Sequence, residues 1–105
     1  MESAPLHVTM VKKRLASGKP CRKCVQAEEL LKARGGWDRI DQVVWAVENE
    51  PDSEGMRLAR RHGIDAAPFF VVDESDGAQV AYSSVLQFLK KRLPPAPVRP
   101  VRGRA

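Results

Sequence analysis

The chain has 105 residues, 43% apolar and 30% charged, which is the size and composition of one compact domain and excludes two. Its apolar runs fall far short of the roughly 20 residues that span a bilayer, and "MESAPLHVTMVKKR" has no basic start followed by an apolar stretch, so neither a membrane nor a secretory route is expected and the expected compartment is the cytoplasm. The net charge of +5 suggests nucleic acid until its position is read: three of the 18 cations lie in the last twelve residues, leaving 15 against 13 acids, so nucleic acid is not expected as a partner.

"LHVTMVKKRL" (6–15) carries Val8, Met10 and Val11 without a breaker and reads as a first strand. "ASGKP" (16–20) reads as a loop. From Cys21, the residues Val25, Ala27, Leu30, Leu31 and Arg34 recur at helical spacing until Gly35-Gly36 ends the run. "DQVVWAV" (41–47) is a near-continuous apolar run that suits a strand buried on both faces. "NEPDSEG" (49–55) is a turn in which Asp52 or Ser53 caps a short helix. That helix holds Met56, Leu58, Ala59 and His62 and closes at Gly63.

"APFFVVDESDGAQVAYSS" (67–84) reads as two strands joined by a type I′ turn at Asp76-Gly77. Ser83 or Ser84 caps a last helix, "VLQFLKKRL", with Val85, Leu86, Phe88 and Leu89 inward and Lys90, Lys91 and Arg92 at its negative end. The order is β-α-β-α-β-β-α. It predicts an α/β fold with a four-stranded mixed sheet and helices on its faces. The domain is expected over residues 1–93. Residues 94–105, rich in Pro and Arg, are expected to be a disordered tail, with contact to an anionic partner as the other reading.

The chemistry-bearing stretch is "KPCRKCVQAEEL" (19–30), which holds both cysteines of the chain. The pair reads as a redox dithiol, as half of a metal site, or as two buried small hydrophobes. A reducing compartment disfavours a structural disulfide. One chain offers two thiols where structural zinc wants four ligands, so no metal is expected, although His7 and His62 are the histidines that would complete such a site. Trp37 and Trp45 read as packing residues. With Cys21 at a helix N-cap, Cys24 lies one turn on, near the alpha-carbon separation of about 5.5 Å that a disulfide prefers. The helix end and the cations Lys19, Arg22 and Lys23 favour a thiolate there. Cys21 is then the expected attacking thiol and Cys24 the resolving one.

The chain resembles the thioredoxin-like superfamily and its glutaredoxin-sized members. The likeness rests on Cys21-x-x-Cys24 after the first strand, on "LARRHGIDAAPFFVV" (58–72), where Pro68 follows Gly63 by five residues, and on the closing hairpin and helix. It implies a thiol–disulfide oxidoreductase without a cofactor, with a cis bond before Pro68 and the backbone of Ala67 turned toward an extended substrate segment. The implied partners are a disulfide-bearing protein and an upstream thiol reductant, and a monomer is expected. The motif here is P-C-R-K-C rather than W-C-G-P-C or C-P-Y-C. "AYSSVLQ" (81–87) lacks the glycine pair and aspartate of glutathione-using relatives, so glutathione's usual binding residues are largely missing. The alternatives are a non-catalytic adaptor module and a carrier of an iron–sulfur cluster held between two chains.

Overall fold

A computed structural model describes residues 7–92; the tail expected from residue 94 onward lies outside the described residues. The elements are β1 (His7–Arg14), α1 (Arg22–Ala33), β2 (Gln42–Val47), α2 (Glu54–His62), β3 (Phe69–Asp73), β4 (Gln79–Tyr82) and α3 (Val85–Arg92). A single 3-10 turn, Trp37–Arg39, follows α1. The element order and the four-stranded mixed sheet are those read from the sequence. The strands lie in the order β2-β1-β3-β4, with β1 parallel to β2 and antiparallel to β3, and β3 antiparallel to β4.

Alternation along β1 divides the core. Val8 and Met10, with Phe70 and Val72 of β3, pack beneath Ala27 and Leu31 of α1 and Phe88 and Leu89 of α3. Phe70 and Phe88 stack at 4.6 Å between ring centroids. Val11, Val44, Ala46, Phe69 and Val71 face the other way, against Met56, Leu58 and Ala59 of α2. Truncating Phe88, which is 1% exposed, to alanine is expected to cost about 3–5 kcal/mol.

Four details depart from the sequence reading. β2 is an edge strand, with only Val44 and Ala46 buried, because β1 and β3 occupy the centre. Val25 and Leu86 point outward, 37% and 61% exposed; the buried face of α1 is instead Cys24, Ala27 and Leu31. The hairpin turn is not type I′, which needs positive φ at both central residues, since among the described residues none other than glycine has positive φ. It is a three-residue loop closed by the Gly77 N–H donating to the Glu74 carbonyl, with Gly77 at φ 90°. Ser53 occupies the N-cap position of α2, yet its hydroxyl accepts from the Val47 N–H at 3.0 Å rather than from the helix.

One close approach sets the position of α2. Gly55 is the buried residue of that helix, and a Cβ there would lie 2.4 Å from the Ala46 nitrogen and 2.5 Å from the Trp45 carbonyl carbon. Only a residue without a side chain lets α2 lie this near the backbone of β2.

Candidate active site

The cysteines sit where β1 ends and α1 begins. Residues 15–19 form the connecting loop, and Pro20 bridges back to Arg14. Cys21 takes the N-cap position with extended backbone, φ −64° and ψ 138°. Its carbonyl accepts from the N–H groups of Cys24 at 3.0 Å and Val25 at 3.1 Å, which starts the helix. α1 then runs through straight-chain Lys, Gln, Glu, Leu and Ala, which lose little freedom in a helix. An ion pair from Lys32 to Glu28 at 2.9 Å supports its last turns.

Lys13 of β1 holds both cysteines by its backbone. Its carbonyl accepts from the Cys21 N–H at 2.9 Å, and its N–H donates to Cys24 Sγ at 3.2 Å. Cys21 is partly exposed, while Cys24 is fully buried; both are free thiols. The two therefore differ in acidity. Burial opposes ionisation of Cys21, but the N–H groups of Cys24 and Lys23, the Cys24 thiol and the charge of Lys13 outweigh it and hold the thiol below its ordinary value. Burial pushes the Cys24 thiol up to about 11, with the Cys21 charge adding to it against the Lys13 N–H and the charge of Lys12.

The sequence singled out Lys19, Arg22 and Lys23 as thiolate-stabilising cations. All three are exposed. Lys23 acts on Cys21 through its backbone N–H, and the charge that acts among the leading causes is that of Lys13. Sequence reasoning missed Lys13 because it belongs to the strand, eight residues before Cys21. The signal that could have found it is its place at the C-terminal end of β1, where a loop must return the chain to the helix start.

Pro68 and Ala67 come to the same place by topology. β3 runs antiparallel to β1, with Phe69 opposite Val11, so the residues entering β3 lie beside the end of β1 that leads to Cys21. The Ala67–Pro68 peptide bond is cis. A groove of about 480 Å³ runs between α1, residues 66–68 and the start of α3, with Lys23, Ala27, Leu30, Pro68 and Leu86 among its walls. Ser84 caps α3 at one end of it, accepting from the Gln87 N–H at 3.3 Å. On the other side of residues 66–67, a cavity of about 410 Å³ lies between α2 and the sheet, bordered by Lys13, Arg60 and Asp65.

The remaining candidates lie elsewhere or have packing roles. His7 begins β1, at the end of the strand away from the cysteines, and shares a 3.0 Å hydrogen bond with Gln42. His62 ends α2, its Nε2 buried without a partner among the described residues. Trp45 lies under two cations, Lys12 Nζ at 4.6 Å and the Arg14 guanidinium at 4.2 Å from its ring centroid. Trp37 packs against the core beneath α1. Among the described residues, no three His, Cys, Asp or Glu side chains cluster as metal ligands, and no helix is long and apolar enough to cross a membrane.

Two solved structures are similar to this chain over most of its length. A thioredoxin from Thermus thermophilus is 23% identical over 82% of this chain and 71% of its own, with a TM-score of 0.47. Thioredoxin f2 from Chlamydomonas reinhardtii is 16% identical over 88% of this chain and 83% of its own, with a TM-score of 0.40. No protein-family pattern matches the sequence, and no curated protein is significantly similar to it.

Proposed function

We propose that the chain is a thiol–disulfide oxidoreductase in which Cys21 attacks and Cys24 resolves. The observation that supports this most is the asymmetry of the pair: a partly exposed thiol at a helix start, one turn ahead of a fully buried thiol, with both tied to the backbone of Lys13. Two inert core cysteines would both be buried.

The chemistry follows from that asymmetry. The Cys21 thiolate attacks one sulfur of a substrate disulfide; that S–S bond breaks, a mixed disulfide forms, and one substrate thiolate leaves to take up a proton. Formation of the mixed disulfide removes the negative charge of Cys21, one of the causes that hold Cys24 protonated. Cys24 then loses its proton and attacks Cys21 Sγ, the mixed disulfide breaks, and the second substrate thiolate leaves. The substrate gains two electrons and two protons, and the Cys21–Cys24 dithiol becomes a disulfide. A thiol reductant, expected in a reducing cytoplasm, restores the dithiol. In this reading the backbone of Ala67, beside Pro68, pairs with an extended protein substrate like an added strand.

The test is turnover of insulin or a mixed-disulfide peptide with dithiothreitol as the electron source. The reduced protein should accelerate reduction, Cys21→Ser should abolish the acceleration, and Cys24→Ser should accumulate a mixed disulfide on Cys21 detectable by mass. Absence of exchange, or purified protein that is coloured and carries iron, overturns the reading in favour of a binding module or a cluster carrier.

A further inference from the structure

Residues 12–23 contain six cations and no acid. Among the described residues, carboxylates meet two of them: Lys12 meets Glu28 at 2.6 Å and Lys13 meets Glu48 at 3.9 Å. Arg14 lies over Trp45 and donates to the Gly18 carbonyl. Lys19, Arg22 and Lys23 are exposed, and among the described residues none has a carboxylate within 4.0 Å. These three flank Cys21 on both sides along the chain.

Lys23 also borders the groove that runs from the first turn of α1 past Pro68 to α3. Ala27, Leu30 and Pro68 line its walls, and Leu86 stands beside it with 61% of its surface exposed. Asp65, also exposed, borders the cavity on the α2 side and not this groove. The groove is thus largely apolar, with the positive charge of Lys23 at its α1 end, two residues from Cys21, and with Lys19 and Arg22 flanking the cysteine along the chain. While Cys21 is a thiolate, it partly balances that charge. Once Cys21 enters a mixed disulfide the balance is lost, unless the substrate brings its own negative charge.

We propose that the disulfide partner of Cys21 is an acidic protein segment: an extended chain with carboxylates flanking its cysteine and an apolar side chain laid along the groove against Leu86. The proposal rests on the exchange reaction set out above and adds the substrate class. Three exposed cations, each screened by salt, are expected to favour acidic over basic flanks about tenfold at low ionic strength. The advantage should shrink toward equality as salt rises, because these charges are solvent-facing.

The experiment uses the full-length reduced protein and three peptide disulfides, identical except for Glu, Gln or Lys beside the cysteine. Oxidised glutathione serves as a fourth substrate. Single-turnover rates are measured at about 20 mM and about 300 mM salt. The expected order is Glu over Gln over Lys, compressed at high salt, and levelled in the triple variant Lys19→Gln, Arg22→Gln, Lys23→Gln. Rate ratios within one protein cancel any change in thiol acidity. The wild-type series stands whether or not the variant folds. Equal rates for the three peptides, a preference for Lys, or an order that survives the triple variant would overturn the proposal. Glutathione outpacing the Glu peptide would assign the cations to a small anionic disulfide instead. If none of the four disulfides reacts, the exchange reading itself fails, an outcome distinct from reaction without charge preference.

Discussion

The backbone N–H of Lys13 donates to Cys24 Sγ at 3.2 Å, so a residue of the central strand β1 holds the buried thiol of α1. The carbonyl of the same residue accepts from the Cys21 N–H. A strand end and a helix start are thereby fixed to each other through the two cysteines. The separation in acidity between the thiols follows from which of them this junction buries.

That separation fixes an order of reactivity. Limiting iodoacetamide near neutral pH should alkylate Cys21 before Cys24, as read by peptide mass mapping, because the thiolate is the reactive form. In Cys24→Ser, the rate of alkylation at Cys21 should rise with pH and level off below the range of an ordinary thiol. Preferential labelling of Cys24 would exchange the two roles.

Cys24 also links stability to alkaline pH. The folded thiol keeps its proton up to about 11, whereas an unfolded cysteine releases it near its ordinary value of about 8.5. Between these limits the unfolded state binds fewer protons, so stability falls as pH rises. At 1.36 kcal/mol per unit, the loss amounts to about 3 kcal/mol across the window. Cys21, lowered in the folded state, acts in the opposite sense at lower pH, adding stability as pH rises through its own folded pKa. Urea unfolding of the reduced protein from pH 8 to 11 should show the decline, and Cys24→Ala should flatten it. An unchanged slope in that variant would remove Cys24 as its source.

Lys13→Gln removes the ammonium and leaves the backbone bonds to both cysteines in place. The side chain is 36% exposed, so screening limits its effect, but the Cys21 pKa should rise. Less stabilisation of the reduced form makes the couple more reducing, by less than about 20 mV for a screened charge. Titration against glutathione buffers measures this. A larger shift in Arg22→Gln with Lys23→Gln would transfer control to the charges at the helix start.

Gly55→Ala places a methyl against the backbone of Trp45 and Ala46, which cannot swing aside as a side chain would. Overpacking of this kind costs about 1–3 kcal/mol, or roughly 5–20 °C in Tm for a domain of this size. Thermal unfolding followed by circular dichroism reads the loss. Alkylation of Cys21 should be unaffected below the transition, since α2 lies on the face of the sheet opposite α1. A Tm within a degree or two of wild type would mean that α2 shifts to make room.

The amino-acid sequence carried the elements and their order. Period-two runs, period-3.6 runs, glycine stops and the Ser84 cap act within a few residues, so each element carries its own signal. It also determined the spacing of the cysteines and their place at a helix start, because a loop ending in Pro20 delivers Cys21 there. Tertiary structure alone decided what depends on contacts distant in the chain. β2 became an edge strand because pairing order, not apolarity, sets which strands are central. Val25 and Leu86 turned outward because the neighbouring elements cover only one stripe of each helix, and an apolar residue beside that stripe reads the same in sequence. Gly55 needed its lack of a side chain only because α2 crosses β2 so closely. The charge of Lys13 joined those near Cys21 along the chain because the sheet brings the end of β1 to the start of α1 and electrostatic influence follows distance through space.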